Sequence, residues 1–189
     1  MKAPDFEDVE SELVKESVSA IEEFVRRHPK ELLAAFAFDA DPGAGYFGIC
    51  FDTHENSIAR ARDDEKNDLE RRALWWKKPD VWKRAMSVAW STSLVDYNAY
   101  VGHFQYHLFH EVQFDWSAFL DSAEYDRLNR GGEDGWIEAH LRLVLSRVFD
   151  RLVEAKVFSK LALASPFRLG YGYPGEPDLV VCRILNWPG

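Results

Sequence analysis

The chain has 189 residues, of which 47% are hydrophobic and 14% aromatic, and a formal charge of -9. A single domain of this size buries roughly 70% of the surface its unfolded chain exposes, so it needs no disulfide or metal staple to fold. An excess of acids opposes general binding to nucleic acid or anionic membrane, and no apolar run approaches the roughly 18 residues of a membrane span.

Along the chain, the N-terminal MKAPDFEDVESE is acidic and lacks the basic and apolar regions of a secretory signal. It reads as the start of a mature, cytoplasmic chain. From Phe6 to Arg27, Val9, Leu13, Ala20, Ile21 and Phe24 recur at helical spacing with acids opposite, which predicts an amphipathic helix that His28-Pro29 ends. Leu32 to Phe38 and Tyr46 to Phe51 are apolar strand-like runs, and the Pro and Gly between them predict a β-hairpin. Ser57 to Leu74 is an exposed helix rich in charge, with i,i+4 pairs such as Asp68 and Arg72.

Trp75 to Trp90, WWKKPDVWKRAMSVAW, carries four tryptophans. Such a segment either braces one layer of the fold on another or presents an aromatic partner-binding patch, Trp76 and Trp82, rimmed by Lys77, Lys78, Lys83 and Arg84. Asp134 is placed to cap a core helix from Trp136 to about Val157, with Ile137, Leu141, Val144, Val148 and Leu152 on its inner face. Ala164 to Asp178, rich in Gly and Pro, predicts a loop, and Leu179 to Trp187 a central strand. Cys50 and Cys182 lie in apolar runs and read as buried free thiols. This order of elements lacks regular βαβ alternation and predicts one α+β domain over residues 1–189: a small, mainly antiparallel sheet, hairpin plus C-terminal strand, covered by helices.

Chemistry-bearing patterns are few. The stretch Gly102 to Glu111, GHFQYHLFHE, holds His103, His107 and His110. On a helix they could offer ligands to zinc with a position left for water, which is the hydrolase alternative. On a strand, His103 and His107 share a face with Glu111 while His110 points the other way. The glutamate does not fall where a metalloprotease base must sit. Ser91 and Ser93 stand in no nucleophile elbow, and the glycines of RLGYGYPG do not form a phosphate cradle, so no cofactor is expected. Asp115, Asp121, Glu124 and Asp126 make an acidic segment, and Glu7, Asp8, Glu10, Glu12 and Glu16 line the first helix.

The LLAAFAFDAD and YFGICFDT strands after an N-terminal helix, the box Trp76-Lys77-Lys78-Pro79-Asp80-Val81-Trp82, and the Ala155-Lys156-Val157-Phe158 turn before the strand Leu179 to Leu185 resemble a bacterial family of unknown function, the DUF4303-type proteins. That family looks like the immunity-type proteins encoded beside polymorphic toxins. The resemblance implies a binding protein rather than an enzyme, with a basic toxin as partner, and brings no catalytic residues with it. Acids of the first helix, or those between Asp115 and Glu138, among them Asp115, Asp121, Glu124 and Asp126, would then steer the partner, and Trp76 and Trp82 would anchor it. A homo-oligomeric scaffold packed through the tryptophan-rich segment is a third reading.

Overall fold

A computed structural model describes residues 3–41, 44–75, 97–129, 135–173 and 179–186, with backbone alone at 65–75 and 129. The protein is α+β. Its elements are α1 (Phe6–Arg27), β1 (Leu32–Asp41), β2 (Tyr46–Thr53), α2 (His54–Trp75), β3 (Tyr106–Gln113), α3 (Ser117–Leu120), α4 (Ala123–Asn129), α5 (Trp136–Glu154), β4 (Ala162–Gly172) and β5 (Val180–Leu185), with 3-10 turns at Val101–His103 and Val157–Lys160. The strands form one sheet in the order β3-β2-β1-β4-β5. All neighbours pair antiparallel except β1 and β4.

The first helix follows its pattern closely. Asp5 caps it by accepting from the Glu7 N–H, acids occupy its first turn and Arg26 and Arg27 its last, and Val9, Leu13, Ser17, Ala20, Ile21 and Phe24 are buried. That stripe packs with α5 on one face of the sheet, where Phe36, Phe38, Phe47, Phe51, Phe149 and Phe167 are all fully buried. Phe24 stacks on Phe51 at 4.3 Å, and Phe36 stands edge-on to Phe51 at 5.3 Å. Burying one such ring contributes about 2–3 kcal/mol, so this aromatic layer dominates the stability of the fold.

The opposite face is built of small residues. Ala35, Ala37 and Cys50 are buried there under Val101, Phe104 and Leu179. The strap of chain that holds Val101 and Phe104 is pinned by a polar hub at Asp52, a carboxylate with no exposed surface. Asp52 accepts from Asn56 Nδ2 at 2.6 Å, Asn98 Nδ2 at 3.2 Å and the Gln105 N–H at 3.2 Å. Burial pushes its carboxyl up from the ordinary value, against the pull of those donors.

Several sequence expectations need correction. The stretch Ala164 to Asp178 is not a loop throughout: as far as Gly172 it belongs to an internal strand, Ala162–Gly172, parallel to β1, and residues 174–178 lie outside the described residues. Its Pro166 falls between the pairs Leu33 with Leu163 and Ala35 with Arg168, where β4 bulges away from β1, so the missing N–H costs no β1 ladder bond. Its glycines serve close approach: a Cβ at Gly170 would stand 2.4 Å from the Val180 carbonyl oxygen, and one at Gly172 would be 2.8 Å from Val101. With β4 inserted, β5 becomes an edge strand rather than a central one, and Cys182 is half-buried rather than buried. The α5 helix stops at Glu154, ahead of Lys156 in a left-handed conformation (φ 54°), and its N-cap position is Gly135. Asp134 lies outside the described residues.

Candidate functional site

The histidine stretch resolves as a turn and an edge strand, and its three imidazoles diverge. His103 belongs to the 3-10 turn, its ring edge-on to Tyr100 at 4.6 Å. In β3 the pairs Tyr106 with Phe51 and His110 with Ile49 leave three residues of β3 opposite Cys50. Leu108 takes up the excess in a left-handed conformation at φ 52°, its N–H donating to Cys50 Sγ at 3.3 Å. The bulge sends His107 to the small-residue face, with Nε2 2.6 Å from Asp39 Oδ2. It sends His110 to the helical face, with Nε2 2.8 Å from Glu16 Oε2 on α1. Among the described residues no three His, Cys, Asp or Glu side chains are grouped to hold a metal ion. Each histidine on β3 is instead committed to one carboxylate, and both contacts fasten the edge strand to its neighbours.

Around His107, the Tyr46 hydroxyl is pushed up to about 12, first by burial and then by the nearby Glu111, Cys50 and Asp39 charges. Burial likewise pushes the Cys50 thiol up to about 12, so it holds its proton at neutral pH and makes a poor nucleophile. These groups lock strands together and offer no activated attacking group.

The acidic residues separate into two kinds. Those of α1 are largely compensated: Glu10 receives Arg147 at 2.6 Å and Arg151 at 3.1 Å, Glu12 and Glu16 share Lys15, and Glu22 takes Lys160 at 2.7 Å. Burial raises the Glu10 carboxyl, but the two arginines outweigh it and leave the group below its usual range. The corner formed by α3 and α4 differs. Asp115, Asp121 and Asp126 are exposed there, and none is ion-paired among the described residues. Asp115 accepts from the Ser117 N–H at 3.1 Å and hydroxyl at 2.6 Å, two bonds that lower its carboxyl. Glu124 is half-buried and carries Arg127 at 2.7 Å. All four sequence-selected acids thus lie on or beside α3 and α4, while Trp76 and Trp82 lie outside the described residues.

An aromatic group beside that corner was missed by sequence reasoning. Tyr125, Phe119 and Trp136 contact in series at 5.7 and 5.9 Å, and Trp136 meets His140 at 4.3 Å and Phe6 at 5.4 Å. The only advance signal was the spacing Trp136, His140, Leu143, which runs along one side of α5 next to its core stripe. No family model matches the chain, and searches of curated proteins and of solved structures find no match either.

Proposed function

We propose that this protein is a binding module of the immunity type, which uses its acidic surface to attract and cover a basic protein partner. The observation that carries this reading is the contrast between the two acidic regions. Beyond the first turn of α1, where Glu7 and Asp8 stay exposed, its carboxylates Glu10, Glu12, Glu16, Glu22 and Glu23 are engaged by cations of the same molecule, whereas Asp115, Asp121 and Asp126 are exposed with no cation partner among the described residues. On a chain of charge -9, carboxylates with no cation partner among the described residues, on or beside α3 and α4, focus attraction on a basic partner and repel acidic ones. The steering region is therefore the α3–α4 corner rather than the first helix. The hydrolase reading needs His103, His107 and His110 in one place, and they stand in three separate surroundings.

Co-expression with the products of adjacent genes, followed by pull-down, tests the proposal. A stable complex with a basic protein is the expected outcome. No complex at micromolar concentration, or turnover of a substrate by the purified protein, would remove it.

A further inference from the structure

The rings at the acidic corner are not sealed into the core. Phe119 is buried, but Phe6, Tyr125, Trp136 and His140 each keep part of their surface in solvent. Leu143, one turn beyond His140 on the same side of α5, is 61% exposed, the most of any large hydrophobic residue among those described. A partly open aromatic cluster continued by an exposed leucine is costly to leave in water unless something covers it.

Charge tells what covers it. Tyr125 and Phe119 sit on the same two short helices that carry the exposed Asp126 and, at the end of α3, Asp121. Among the described residues the nearby cations are engaged, Arg127 with Glu124 and Arg147 with Glu10, while Arg142 lies 6.0 Å from the Tyr173 ring. Aromatic faces beside carboxylates that have no cation partner among the described residues suit guanidinium and ammonium groups, which gain a cation–π contact and a charge-assisted hydrogen bond together. Tryptophan and tyrosine at the centre of a patch with charge at its rim is also how interface energy is usually distributed.

We infer that the Trp136–His140–Leu143 side of α5, with Phe6 and Tyr125, is the anchor on which a basic protein partner lays arginine or lysine side chains, Asp121 and Asp126 supplying the rim charge. This rests on the binding reading above and assigns it a place and a chemistry.

The probe is a capped peptide of alternating arginine and leucine, titrated into the isotope-labelled full chain and followed by NMR. The Trp136 indole resonance is identified by its loss in Trp136→Phe. A saturable shift of that resonance is expected, with an alternating glutamate–leucine peptide giving none. Leu143→Ser, at an exposed position, should weaken binding about threefold without changing Tm, and Asp121→Asn with Asp126→Asn should do the same at low salt and less at high salt. If the basic peptide binds but shifts other resonances and leaves Trp136 still, the anchor is wrong while the binding reading stands. If it shifts no resonance at all, both the anchor and the basic-partner chemistry fall.

Discussion

Removing the Asp52 carboxylate should loosen the strap over the small-residue face, and the structure sets the size of the effect. In Asp52→Ala the Asn56 and Asn98 side-chain amides and the Gln105 N–H lose their common acceptor. A bond to a charged acceptor is worth about 1.5–3 kcal/mol, but burying the carboxylate already costs part of that, so the net loss should be about 3 kcal/mol. Asp52→Asn keeps one oxygen for Asn56 and Gln105 and turns an amino group toward Asn98. Asn98 cannot simply flip, because its Oδ1 accepts from the Tyr100 N–H at 3.2 Å, so this variant should lose about 1–2 kcal/mol. Urea denaturation at neutral pH measures both. The pH dependence gives a second check. The Asp52 carboxyl is raised in the folded state, so between the ordinary carboxylate value and that raised value the native protein holds more protons than the unfolded chain. Stability from this group therefore grows as pH falls through that window and is lost as pH rises. The lead of the wild type over Asp52→Asn should widen on mild acidification. Equal stability of wild type and Asp52→Ala, or a lead that narrows on acidification, would refute the reasoning.

Three further outcomes are expected. Ser17→Ala should stabilise the protein by about 1 kcal/mol in thermal or urea unfolding, because the Ser17 hydroxyl is fully buried with no hydrogen-bond partner among the described residues. A thiol reagent should label half-buried Cys182 in the native state, while Cys50, fully buried and raised to about 12, should react only on unfolding. Adding zinc should leave the Tm of wild type and of His107→Ala equally unmoved; stoichiometric zinc lost on mutating two of His103, His107 and His110 would contradict their separate placement.

Local patterning made the helices and the hairpin readable. The α1 stripe and the alternation of Phe36, Phe38 and Ala40 against Ala35 and Ala37 each carry a period set by the residues themselves, and α2 was legible from its density of charge. The β4 strand was hidden because its reasons are tertiary. Gly170 and Gly172 serve neighbours distant in sequence, Val180 and Val101, and Pro166 is accommodated by a bulge that only pairing with β1 reveals. Missing β4 also misplaced β5, since a strand's rank in a sheet depends on what pairs beside it. The histidines were undecidable between helix and strand because GHFQYHLFHE has no clean period; a bulge at Leu108 breaks the alternation. The four acids of the corner were visible as composition. What distinguishes Asp115, Asp121 and Asp126 from Glu10 and Glu22 of α1 is the position of Arg147, Arg151 and Lys160, more than a hundred residues from those glutamates in sequence.

The most direct test of the central claim is the association rate of the partner from the pull-down with wild type and with Asp115→Lys, Asp121→Lys and Asp126→Lys combined, over a range of salt. Steering by exposed charge is screened over about 8 Å at physiological ionic strength, so reversal should slow association tenfold or more at low salt and much less at high salt. Dissociation should change little. An association rate unchanged by the triple reversal at low salt, or slowed equally by reversing the compensated acids Glu12 and Glu22 of α1, would contradict the assignment of the acidic corner.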